Sequence, residues 1–208
     1  MSEPARRLNL AAKGGGGDRP TGRHRGNPPV VFTREELNSL LRAASWDRNP
    51  TAVRDRALFA WCFWTAARVG ELTTMLETGL DRARGRVRFA RSKSDDIHEV
   101  PVPPEGWGDL DRWLALRRAQ DARGGVLFPV SPYHVWRRMK LVGGWAGLPA
   151  AKCRPHVLRA TRATLMLEDG ASVEAVRLVL GHARLETTMG YLRATRGWYD
   201  SQAALGGL

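Results

Sequence analysis

From Ala57 to Ala67 the chain reads Ala-Leu-Phe-Ala-Trp-Cys-Phe-Trp-Thr-Ala-Ala, with no charge and an apolar residue on nearly every side of a helix. A helix that is hydrophobic all round is stable in water only when it is covered all round. A bilayer is not the cover, because a spanning helix needs about 20 such residues. The run therefore reads as a buried helix, extending from about Ala52 to Ala66, which the rest of the chain has to enclose.

The flanking patterns supply helices to enclose it. Thr33-Arg34-Glu35-Glu36 fits the S/T-x-x-E capping box, so a helix is expected from about Arg34 to Ala44 with Leu37, Leu40 and Leu41 inward. Asn49-Pro50 is a turn. A short amphipathic helix is expected from about Val69 to Leu76, with Leu72, Met75 and Leu76 on one face. Further helices are expected over about Asp109 to Asp121, Tyr133 to Trp145, His156 to Glu168, Val173 to Leu180 and Glu186 to Arg193. Between Gly85 and Pro103 the period changes to two: Val87 and Phe89 alternate with Arg86, Arg88 and Ala90, and Val100 and Val102 with Glu99 and Pro101. With the polar turn Ser92-Lys93-Ser94-Asp95-Asp96 between them, these runs predict a β-hairpin. The expected fold class is mainly α with a small antiparallel β-hairpin, an α+β arrangement. No repeat of fixed period is present.

Residues 1–28 are rich in Gly, Pro and Arg and carry six Lys/Arg against two acids. Such a segment buries too little apolar area to offset its ordering entropy, so a disordered basic tail is expected, with the ordered domain covering residues 29–208. Arg23 and Arg25 make it either a DNA-contacting arm or a solvated tail. Over the whole chain 33 Lys+Arg face 21 Asp+Glu, a formal charge of +12, which favours a polyanionic partner. Cys62 and Cys153 have no framework spacing and read as reduced, buried thiols. With no signal-like apolar segment at the N-terminus, a cytoplasmic, nucleoid-associated protein without membrane contact is expected.

Certain polar residues then stand out by spacing. His156 and Arg159 lie three apart at the start of a helix begun by Pro155, so both can reach one phosphate. In Leu180-Gly181-His182 the glycine is a left-handed C-cap that presents His182 on a sharp turn, and Tyr191 follows nine residues later. Arg68 stands at a helix junction with Glu71 three residues on, placed to hold its guanidinium. Lys93, in the hairpin turn, could reach into a cleft. Each feature alone is more often structural: a surface His beside a solvated Arg, a core tyrosine, a turn lysine.

Together they form an ordered set. Arg68, Lys93, His156-x-x-Arg159, Leu180-Gly181-His182 and Tyr191 resemble the catalytic domain of the tyrosine recombinases, the phage integrases and bacterial site-specific recombinases. Thr65 to Leu76 resembles the family's "TGLRxSELLxL" stretch, Arg91 to Val102 its "GKGxKxRxVPL" hairpin, Pro155 to Thr164 its "PHDLRHTxAT", and Leu180 to Tyr191 its "LGHxxxxTTxxY". The resemblance runs from about Pro29 to the end. Ala66 and Ala67 stand where the family often has Gly and Leu, and Val157 and Ala160 where it often has Asp and His. The family usually carries an N-terminal helical clamp domain, whereas here a short tail precedes the match. A single-domain member is expected, with a truncated gene or relic as the alternative.

The resemblance implies metal-free, ATP-free cleavage and rejoining of double-stranded DNA through a 3′-phosphotyrosine. It makes Tyr191 the nucleophile, Arg68, Arg159 and His182 the donors to the phosphate oxygens, His156 the base or relay, and Lys93 the acid for the leaving 5′ oxygen. Arg91 and Arg162, with Arg23 and Arg25, are expected DNA contacts. A tetramer on paired sites is implied, with Trp198, Tyr199, Leu205 and Leu208 docking between subunits, and an accessory DNA-binding protein is a possible partner. A type IB topoisomerase would share the chemistry, and a non-catalytic DNA-binding module would share the charge. A metal-dependent nuclease would need clustered carboxylates, and the adjacent Asp95 and Asp96 fall where turn chemistry already accounts for them.

Overall fold

The structure, a computed structural model, describes residues 29–46, 51–90, 97–120, 125–192 and 195. The tail with Arg23 and Arg25, the hairpin turn with Arg91 and Lys93, and the C-terminal Trp198, Tyr199, Leu205 and Leu208 lie outside the described residues. Within them are eight α-helices and one three-stranded sheet, in the order α1 (Arg34–Ala43), α2 (Thr51–Trp64), α3 (Val69–Thr74), β1 (Leu80–Asp81), β2 (Arg86–Ala90), β3 (Ile97–Pro101), α4 (Gly108–Ala119), α5 (Pro132–Trp145), α6 (Pro155–Glu168), α7 (Val173–Leu180) and α8 (Leu185–Leu192). The mainly helical α+β class is as expected. None of these helices is long and apolar enough to cross a membrane.

The apolar run is the centre of the core. Leu58, Phe59, Trp61, Cys62 and Phe63 of α2 are all buried, and α1, α4 and α6 pack around it. Trp61 is satisfied there, its Nε1 donating to the Gly106 carbonyl at 3.1 Å, while its ring meets the Trp107 edge at 5.4 Å. Burial pushes the Cys62 thiol up to about 12, which keeps it protonated and inert. The capping box of α1 forms as predicted: the Glu36 N–H donates to Thr33 Oγ1 at 3.2 Å, and the Thr33 N–H donates to Glu36 Oε2 at 2.8 Å.

Two helices end sooner than the apolar pattern suggests. Helix α2 stops at Trp64 because the Thr65 hydroxyl donates back to the Trp61 carbonyl at 2.5 Å and accepts from the Ala67 N–H at 3.2 Å. Between them Ala66 takes a left-handed conformation, φ 50°. Helix α3 stops at Thr74 because Met75 turns extended and Leu76 pairs with Val126 in an antiparallel bridge. Leu72 and Met75 are buried as expected, but Leu76 is exposed.

The hairpin pairs Val87 with Val100 and Phe89 with His98. Val87, Phe89, Val100 and Val102 face the core. On the outer face Arg86 and Arg88 share Glu99, at 2.5 and 3.3 Å. A third strand, β1, pairs Leu80 with Val87. It is two residues long, too short for alternation to reveal. His98 joins this sheet to the helices through a contact of its Nε2 with the Val179 carbonyl at 3.0 Å.

Candidate active site

Helix α6 starts at Pro155, a residue suited to the first helical position because it has no N–H to waste. Val157, Leu158, Ala160 and Thr161 sink into the core, and Arg159 sinks with them to 8% exposure. A buried guanidinium needs acceptors. Arg159 finds two in backbone: Nη1 donates to the Ala66 carbonyl and Nη2 to the Leu180 carbonyl at 2.8 Å. Both carbonyls belong to chain reversals, the left-handed Ala66 after α2 and the C-terminus of α7, where helix carbonyls lack partners and carry partial negative charge. One arginine thus ties together the two turns that present Arg68 and His182.

The α7 turn is built as its sequence suggests. Gly181 is left-handed, φ 61° and ψ 38°, and closes the helix. His182 follows and is held at its backbone and its ring. Its carbonyl accepts from Arg177 Nη1 at 2.8 Å, and Arg177 is itself braced by Glu174 at 2.8 and 2.7 Å. Its Nδ1 meets Thr188 Oγ1 of α8 at 3.0 Å. The Tyr191 ring, one turn further along α8, lies nearly parallel to the imidazole with centroids 6.2 Å apart. Burial, then Arg159, Arg68 and Arg177, push the imidazole down to about 4, so it is neutral at physiological pH.

Arg68 precedes α3 with its side chain 56% exposed. Glu71 accepts both its N–H, at 2.7 Å, and its Nη1, at 2.9 Å. The guanidinium is therefore aimed but still open to solvent. Burial and the neighbouring Arg68 press the proton affinity of Arg159 down, while the Tyr191 phenol, by charge and hydrogen bond, and Glu71 support it. Two guanidiniums and a neutral imidazole thus converge beside a tyrosine, with one carboxylate among them, already engaged by Arg68. That is a site for an anion.

The fold brings Arg68, Glu71, Arg159, His182 and Tyr191 together. His156 stands exposed on the first turn of α6, its imidazole lowered by partial burial and by Arg154. Arg162, expected among the DNA contacts, is half-buried on α6. Its guanidinium packs over Phe63 and Trp64, 5.5 and 5.0 Å from the ring centroids, and burial lowers its proton affinity. Three contributors were not singled out from the sequence. Thr188 lay inside a quoted motif, Arg177 announces itself only as an i+3 partner of Glu174, and the Ala66 carbonyl has no residue-type signal. Among the described residues, no three His, Cys, Asp or Glu side chains gather as metal ligands would.

The phage integrase family model matches residues 31–197. The chain belongs to the phage integrase family. It is 29% identical over 177 residues to the tyrosine recombinase XerA of Thermococcus onnurineus, covering 80% of this chain and 59% of that protein. It is 34% identical over 178 residues to the tyrosine recombinase XerC of Yersinia pestis, covering 82% of this chain and 56% of that one. Among solved structures, a XerA recombinase crystal structure superposes with a TM-score of 0.73 at 28% identity, over 87% of this chain and 66% of that one. The chain thus spans less than two thirds of the length of these relatives.

Proposed function

We propose that residues 29–208 form the catalytic domain of a site-specific DNA recombinase, preceded by a basic tail at residues 1–28. The observation that carries the reading is the grouping of Arg159, Arg68 and neutral His182, with the Tyr191 ring stacked beside the imidazole. A phosphodiester under attack develops charge on its non-bridging oxygens, and preorganised donors aimed at those oxygens supply the main electrostatic stabilisation. A guanidinium has five N–H donors. Arg159 uses one from each Nη on backbone and has donors left beside Tyr191, and Arg68 offers a second, solvent-facing fork.

In the proposed reaction Tyr191 Oη attacks phosphorus and the bond to the 5′ oxygen breaks, leaving a 3′-phosphotyrosine. A tyrosine has an ordinary pKa of about 10, so its proton must be taken up as attack proceeds. His156, on the exposed first turn of α6, is assigned as base or relay. Lys93 is assigned to protonate the leaving 5′ oxygen. The phosphotyrosine keeps the ester bond, so a 5′ hydroxyl can reverse the attack without ATP. The formal charge of +12 supports a DNA partner. So does α5, which holds three basic residues and no acid and carries Tyr133 stacked on Trp136 at its exposed start. Strand exchange would take a tetramer on paired sites, with the C-terminal residues joining subunits.

The test is covalent trapping. The protein is incubated with nicked suicide DNA carrying its native flanking repeats, with EDTA present, beside Tyr191→Phe. The expected result is a protein–DNA band on a denaturing gel that survives EDTA and disappears in the variant. A band that persists without the Tyr191 hydroxyl overturns the assignment.

A further inference from the structure

We propose that Thr188 is a positioning residue whose hydroxyl donates to His182 Nδ1, holding the imidazole as the tautomer that carries its proton on Nε2. The inference deepens the reading above, since it concerns how His182 meets the phosphate.

The contact is 3.0 Å between Thr188 Oγ1 and His182 Nδ1. Its direction follows from satisfaction. Thr188 is fully buried, and its hydroxyl has no other hydrogen-bond partner among the described residues. If Nδ1 carried the proton and donated, the hydroxyl hydrogen would be left buried without an acceptor, a penalty of about 1–3 kcal/mol. If the hydroxyl donates, Nδ1 accepts through its lone pair and both groups are satisfied. The neutral ring then has only Nε2 left to carry its proton.

The surroundings make this choice matter. The groups facing the imidazole are Arg159 from α6, Arg68 ahead of α3, Arg177 from α7 and Tyr191 from α8, with Glu71 and Glu174 paired to Arg68 and Arg177. His98 of β3 contacts the carbonyl of Val179, three residues before His182. A ring among guanidiniums does not take a second proton readily, so it serves phosphate only through the one proton it has. On Nε2 that proton donates to a non-bridging oxygen. On Nδ1 it would leave a lone pair on Nε2 facing the oxygen. Arg177 fixes the backbone of His182 but has no hold on the tautomer, so among the described residues the Thr188 hydroxyl is the group that sets it. Thr188 and Tyr191 share a face of α8, so the helix that delivers the nucleophile also sets the donor.

The experiment uses the full chain labelled with 15N-histidine. A long-range 1H–15N correlation reads which nitrogen of His182 is protonated, and the His182→Gln spectrum assigns the signal. The wild type and Thr188→Ser should both show Nε2–H. Thr188→Val, which keeps the shape and removes the hydroxyl, should show a mixture of tautomers. On suicide DNA its covalent complex should form at least about tenfold more slowly, up to the factor of about 100–1,000 that losing a transition-state donor costs. DNA affinity should be unchanged and Thr188→Ser should restore the rate. A wild-type signal with the proton on Nδ1 overturns the proposal, and so does Thr188→Val with an unaltered tautomer. The wild-type spectrum needs no variant to fold and no DNA. If no substrate yields a covalent complex, the recombinase reading fails while the tautomer still decides the role of Thr188.

Discussion

Arg159 is asked to do two things at once, and Arg159→Lys separates them from mere charge. The guanidinium donates to the Ala66 and Leu180 carbonyls while standing 8% exposed beside Tyr191. Lysine keeps the charge but places its three donors on one nitrogen, which cannot reach both carbonyls and a phosphate as a planar fork does. If the ammonium keeps one carbonyl, the other loses a hydrogen bond to a charged group, worth about 1.5–3 kcal/mol. For a domain of this size each kcal/mol moves Tm by about 2–4 °C, so the variant should melt about 3–12 °C lower. The reversals that present Arg68 and His182 lose their common tie, and the forked phosphate contact goes with them. Covalent-complex formation should therefore fall by a factor of about 100–1,000. Scanning calorimetry and the suicide-substrate gel measure the two effects on one preparation. A variant that loses cleavage but melts within a degree or so of the wild type would refute the argument, because the carbonyl contacts would then not hold the frame.

Three further outcomes are expected. Histidine ordinarily titrates near 6.5, and His182 is pushed down to about 4, so the unfolded chain binds the extra proton first. The stability due to neutral His182 is complete above about pH 6.5 and is lost as pH falls from there to about 4. His182→Asn should accordingly show a smaller drop in Tm between pH 7.5 and 5 than the wild type, and an equal drop would remove His182 as the cause. Ala66 is fully buried with φ 50°, so Ala66→Val should lose about 2–4 kcal/mol in urea unfolding through left-handed strain and overpacking. Ala66→Gly should change stability little, since relief of about 1 kcal/mol is offset by one buried methyl at about 0.8 kcal/mol; a valine variant as stable as the wild type would argue against the left-handed turn. Arg162→Met should lower Tm through the lost cation–π contacts yet leave the salt dependence of DNA binding unaltered, whereas a slope smaller by about one would return Arg162 to the phosphate-contacting surface.

How far the chain could be read in advance divides along a physical line. The buried helix, the capping box at Thr33, the hairpin faces and the left-handed cap at Gly181 were legible because each depends on residue type at short range. The residues of the candidate site were legible only as an ordered set, through their resemblance to a family pattern, and the fold brings Arg68, Arg159, His182 and Tyr191 together. What escaped was set at long range or by backbone. Leu76 looked inward by period, but a strand bridge to Val126 turned it out. The Arg162 guanidinium packs over Phe63 and Trp64, about a hundred positions earlier in the chain, a pairing that no local pattern marks.

The frame of the site is the clearest instance of that second kind. Arg159 is held by two carbonyl oxygens, and every residue has one, so no sequence pattern marks Ala66 and Leu180 as its partners. What the sequence can carry is the conformation that exposes those oxygens. At the α7 turn that conformation is written as glycine. At the α2 turn it is written as alanine, a residue that takes a left-handed φ only at a cost of about 1–2 kcal/mol. The Thr65 hydroxyl, bonded both to the Trp61 carbonyl and to the Ala67 N–H, bridges that turn, and the Arg159 guanidinium then binds the carbonyl it presents. The strain at Ala66 is thus offset partly by the local Thr65 contacts and partly by the Arg159 contact, which forms only when α2 and α6 are packed. This turn therefore draws on tertiary structure as well as local contacts, while the Gly181 turn closes on its own left-handed glycine, and the Arg159 guanidinium joins the two reversals.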